Sequence, residues 1–75
     1  MEHYKSIYFV GAGGIGMSAL ERYCLAKGMK VAGYDKTPSH LTDQLQSEGI
    51  ELFFDEDEDS IPSYCKNPEN TLVIY

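Results

Sequence analysis

The sequence predicts an α/β fold in which a parallel sheet alternates with helices and breaks off after its fourth strand. Three observations predict it. Short apolar runs rich in β-branched and aromatic residues recur four times, breaker-free segments of helical length follow the first two, and Gly11-Ala12-Gly13-Gly14-Ile15-Gly16 sits at the first strand-to-helix junction. Strand and helix in alternation produce parallel pairing with crossover connections.

Ile7, Tyr8, Phe9 and Val10, ended by Gly11, read as a strand over 6–10 buried on both faces. The breaker-free segment after the glycines predicts a first helix over 14–27, with Gly28 placed as its C-terminal stop. Ser18, Glu21 and Arg22 fall at spacings of three and four. They are expected to form its solvent stripe, with Ile15, Ala19, Leu20, Tyr23, Cys24 and Ala26 covering most of the rest. Lys30 to Tyr34 reads as a second strand, weakened by Gly33 and stopped at Asp35. Ser39 is the expected N-cap of a second helix over 40–48, with an apolar face of Leu41 and Leu45 and a stop at Gly49-Ile50. A third strand is expected over 50–54, an exposed loop over the self-repelling acidic run 55–59, a short helix over 60–66 and a fourth strand over 71–75. A chain ending on an uncovered strand is expected to be a fragment of something larger.

At 75 residues and 8.4 kDa there is room for one small domain only. A net charge of -6 and a pI near 4.6 argue against an unspecific nucleic-acid or anionic-lipid surface. The longest apolar run falls far short of the roughly 20 residues that span a bilayer, and no signal-peptide layout opens the chain. Cys24 and Cys65 lie far apart without a second ligand at metal spacing, so they read as core thiols of a cytoplasmic protein. His3 and His40 have no partner pattern, and no nucleophile-base arrangement appears.

The chemistry concentrates in the glycine loop. G-x-G-x-x-G after a strand and before a helix is the context of a diphosphate-binding turn. Gly11 permits the tight turn, Gly13 keeps a side chain away from the diphosphate, and Gly16 lets the helix approach the strand. Unpaired N–H groups and about half a unit of positive charge at the helix start then attract the anion. Asp35, 19 residues after Gly16, is placed to accept from ribose hydroxyls; its bland alternative is a turn residue before Pro38. Lys36, Thr37 and Ser39 lie near the same pocket, Ser39 chiefly as a cap. By itself the loop suggests NAD or FAD.

Its surroundings suggest another ligand. YFVGAGGIGMSAL over 8–20 resembles the opening of the Mur ligases, most closely the members that add L-alanine. The similarity continues through VAGYD over 31–35, Ser39, Leu41, Leu45, EGI over 48–50 and TLVIY. Ala12 and Tyr34 depart from it. The resemblance implies an N-terminal Rossmann-like domain, spanning 1–75, that binds UDP-N-acetylmuramic acid. Gly11 would open the loop, Gly13, Gly14, Ile15, Gly16, Met17 and Ser18 would surround the diphosphate, and Asp35 would sit at the nucleoside end. It further implies an ATP-dependent ligase of peptidoglycan synthesis. ATP and Mg2+ would bind in the remaining domains, since the chain has no G-x-x-G-K-[ST]. A NAD-binding module of a dehydrogenase or regulatory protein, or a domain that only contacts other proteins, are the competing readings.

Overall fold

The computed structural model describes residues 4–55 and 61–75. Its elements are β1 (Ser6–Val10), α1 (Ile15–Ala26), β2 (Lys30–Tyr34), α2 (His40–Ser47), β3 (Glu51–Phe53), a 3₁₀ turn (Ser63–Cys65) and β4 (Thr71–Ile74). The four strands form one parallel sheet in the order β3-β2-β1-β4. The chain therefore winds outward from β1 to β3 and returns past β1 to place β4 on its other side. In open α/β sheets, the carboxyl ends of the two strands at such a reversal flank the ligand crevice.

The expected elements are present with small shifts. Gly14 is the N-cap of α1 rather than its first residue, Lys27 is its C-cap, and β3 is confined to three residues. The short helix expected over 60–66 is a single 3₁₀ turn behind Pro62. Asp55 is exposed, as the acidic loop requires; the rest of that run lies outside the described residues.

Period-two alternation sorts the strands between two cores. Ile7 and Phe9 of β1, Val31 of β2 and Leu52 of β3 pack with Cys24 of α1 and with Leu45 and Ile50, so both helices lie on one face. Tyr8, Ala32 and Cys65 pack on the other, joined by Tyr34, Phe53, Ile61 and Tyr64. Each fully buried apolar side chain, such as Phe9 or Ile7, contributes about 1.5 to 3 kcal/mol. Gly33, expected to weaken β2, is instead required there. A Cβ would lie 2.7 Å from the Phe9 carbonyl oxygen and 2.8 Å from the Ala12 Cβ.

Helix α1 is rotated from its expected orientation: Arg22 is exposed and Cys24 and Leu20 face the core as expected, but other positions exchange sides. Ser18 and Glu21, expected in solvent, are buried, whereas Ile15 and Tyr23 are 86% and 52% exposed. At 3.6 residues per turn, Glu21 lies within about 60° of Met17, Cys24 and Leu25 around the helix. All three belong to the core beneath α1. A rotation that hydrated Glu21 would turn at least one of them away from the core.

Both helices stop as expected, on glycines with positive φ: +86° at Gly28 and +107° at Gly49. At the start of α2, the Ser39 hydroxyl accepts from the Thr42 amide at 3.2 Å, and the Ser39 amide donates to Thr42 Oγ1 at 2.7 Å. This reciprocal capping box fixes the loop that carries Asp35. Among the described residues, no helix is long and apolar enough to cross a membrane.

Candidate anion site at the mouth of helix α1

The glycine loop is pinned before it reaches the helix. Gly11, at φ +84°, and Ala12 both donate their amides to the Tyr34 carbonyl, at 2.7 and 2.9 Å, tying the end of β1 to the end of β2. Gly14 N donates to Gly11 O at 3.1 Å, and Ser18 N makes the first helical bond, to Gly14 O, at 3.0 Å. Gly13 N is also engaged, donating to Asp35 Oδ2 at 2.7 Å. The unbonded donors of the loop are thus Ile15, Gly16 and Met17, the first-turn amides that no helical carbonyl can reach. Three N–H groups at the positive end of a helix dipole, opening beside the winding reversal, are the donors of a candidate anion cradle.

The glycines have partly different reasons from those expected. A Cβ on Gly16 would meet nothing within 4 Å, so Gly16 does not serve close helix packing; it keeps the outside of the cradle bare. A Cβ on Gly13 would lie 2.7 Å from Asp35 Oδ2 and 3.1 Å from Thr42 Cγ2. Gly13 is thus demanded by the fold itself.

Asp35 accepts two backbone bonds, from Gly13 N and, at 3.0 Å, from Thr37 N. Both the turn role and a position beside the loop are therefore realised, and each carboxylate oxygen retains a lone pair for a hydroxyl donor. The Ser18 hydroxyl is turned back into the helix, donating to Ile15 O at 2.7 Å. Ser39 acts as a cap, and Lys36 and Thr37 are exposed on the turn between Asp35 and α2. The structure thus brings Gly13, Asp35 and Thr37 together by direct bonds and leaves the hydroxyls of Ser18 and Ser39 in local use.

Glu21, the seventh residue of α1, is expected in solvent and is the residue that sequence reasoning missed. It is fully buried and neither carboxylate oxygen has a hydrogen-bond partner. Burial first, and then the nearby Asp35 charge, push its pKa up to about 8 against the opposing pull of Arg22. Glu21 therefore holds its proton at neutral pH and places no full charge behind the cradle. Arg22 itself pairs outward with Glu48 through two bonds, at 2.8 and 3.0 Å. Burial also raises the thiols of Cys24 and Cys65, the latter to about 11, so both are protonated core residues.

A pinned glycine loop with its free amides at a winding reversal is common to many nucleotide-binding domains, and comparison of sequences separates them. The model of the Mur ligase family, catalytic domain, matches residues 6–74. The chain belongs to the Mur ligase family. Mur ligase relatives match over nearly its whole length. The UDP-N-acetylmuramate–L-alanine ligase of Phocaeicola vulgatus is 55% identical over 71 residues, 95% of this chain and 16% of the relative. That of Parabacteroides distasonis is 56% identical over 70 residues, 93% and 15% of the two chains. That of Christiangramia forsetii is 51% identical over 76 residues, covering 100% of this chain and 17% of its own. The chain thus spans about a sixth of the length of these Mur ligases, and the glycine loop lies within the span matched by the family model.

Proposed function

We propose that residues 1–75 are the N-terminal, UDP-sugar-binding domain of a cytoplasmic ligase that joins L-alanine to UDP-N-acetylmuramic acid in peptidoglycan synthesis. The observation that carries the reading is the set of free amides at Ile15, Gly16 and Met17, flanked by Asp35. A diphosphate supplies the anionic oxygens those donors lack, and a ribose supplies hydroxyls to Asp35. The names and identities of the relatives support this ligand over the dinucleotide that the glycine pattern alone suggests.

In this reading the chain binds and orients the nucleotide end of the substrate. ATP and Mg2+ are assigned to residues outside this segment, because the chain lacks G-x-x-G-K-[ST] and the cradle offers three amides without a lysine among them. The overall reaction converts the muramate carboxylate to an acyl phosphate that the alanine amine attacks; no residue here takes part in that step. Calorimetric titration of the full-length protein carrying this segment with UDP-N-acetylmuramic acid and with NAD tests the proposal. Binding of the UDP-sugar and not of NAD is expected; preferential NAD binding contradicts it.

A further inference from the structure

At the opposite end of the sheet lies a cavity of about 650 Å³, a volume suited to a mononucleotide-sized molecule. It opens between the amino ends of β1 and β2, the C-cap of α1 and the segment before β4. Lys5, Lys27, Lys30, Tyr64, Asn67 and Asn70 line it, and no carboxylate among the described residues does. Half of the six basic residues of a chain with net charge -6 therefore converge on one concave surface.

Their backbones are fixed relative to one another. Lys5 N donates to Asn70 O at 2.9 Å, Lys30 N donates to Lys5 O at 3.1 Å, and Lys27 is held by the turn into Gly28. The ammonium of Lys30 stands 5.0 Å from the ring centre of Tyr64 in the cavity wall, whereas that of Lys27 stands 5.5 Å from the ring of Tyr23, which is outside the lining. None of the three makes an ion pair among the described residues, where Arg22–Glu48 is the pair present. Two carboxylate residues adjoin the lining: Glu51 accepts the Tyr64 hydroxyl at 2.8 Å, and the Glu69 amide donates to Asn67 Oδ1 at 3.0 Å. The α1 C-terminus contributes only about half a negative charge at this mouth, against three ammonium groups.

We propose that this cavity is a second anion site, distinct from the cradle at α1, that takes a phosphate-bearing small molecule. Three lysines from three separate segments present compact charges to phosphoryl oxygens, and the Asn67 and Asn70 carboxamides and Tyr64 supply the wall for the remainder. The proposal is independent of the nucleotide assignment, since no residue is shared between the two sites.

Amide-resolved NMR titration of the full-length protein carrying this segment with pyrophosphate tests it. Shift changes are expected at Lys5, Gly28, Lys30 and Asn70. The affinity should fall at least tenfold in a Lys27→Gln/Lys30→Gln double variant and be kept in Lys27→Arg/Lys30→Arg. Changes confined to Ile15, Gly16 and Met17, no changes at all, or equal affinity in the glutamine double variant would overturn it. Equal binding of citrate at matched ionic strength would overturn the phosphate assignment.

Discussion

Glu21 carries a cost that depends on pH. Its carboxyl is buried without a partner and its pKa stands near 8, against 4.5 for an ordinary glutamate. The folded state therefore keeps a proton that the unfolded chain releases. This contribution to stability is fully present below pH 4.5 and is lost as pH rises toward 8, at up to about 1.4 kcal/mol per pH unit. Thermal unfolding across this range should show wild type falling behind Glu21→Gln as pH rises, with the gap closing in acid. A constant difference between the two would mean that Glu21 is ionised in the folded state. Gly13 and Gly16 make a second contrast at this scale. Gly13→Ala places a methyl against Asp35 and Thr42 and should cost about 1 to 3 kcal/mol, the usual range for overpacking. Gly16→Ala adds a methyl in open space on a helix and should be neutral or stabilising by up to about 1 kcal/mol. Equal losses in chemical denaturation would contradict this division of roles.

At the scale of elements, α2 depends on its capping box because it has only eight residues, too few to persist alone. Ser39→Ala should lower stability by about 1 kcal/mol in urea unfolding and loosen the Asp35 turn; an unchanged midpoint would show that packing of Leu45 suffices. The elements were legible because their signals are local: β-branched runs, Gly28 and Gly49 at helix ends, Ser39 before α2. The partner of Ser39, Thr42, was not read from the sequence, because Thr stands where a capping box usually has Glu or Gln. The orientation of α1 was not. Sequence polarity favoured an outward Glu21, whereas the core contacts of Met17, Cys24 and Leu25 on either side of it decided the rotation. The Gly13–Asp35 bond joins residues 22 apart, and no local pattern reports it.

For the whole molecule, the parallel order β3-β2-β1-β4 places the glycine loop at the reversal of winding, and the pinning by Tyr34 and Asp35 aims α1 at the crevice. The acidic balance of the chain is compatible with an anionic ligand because the donors are backbone amides, whose dipoles act at close range, while distant surface charges are screened beyond about 8 Å at physiological salt. The chain belongs to the Mur ligases and spans about a sixth of the length of the relatives it matches.

The most direct measurement is a crystal structure of the full-length protein with UDP-N-acetylmuramic acid bound. The account predicts diphosphate oxygens within hydrogen-bonding distance of the amides of Ile15, Gly16 and Met17, with a ribose hydroxyl on Asp35. Phosphates held by other residues, with those three amides facing water, would contradict it.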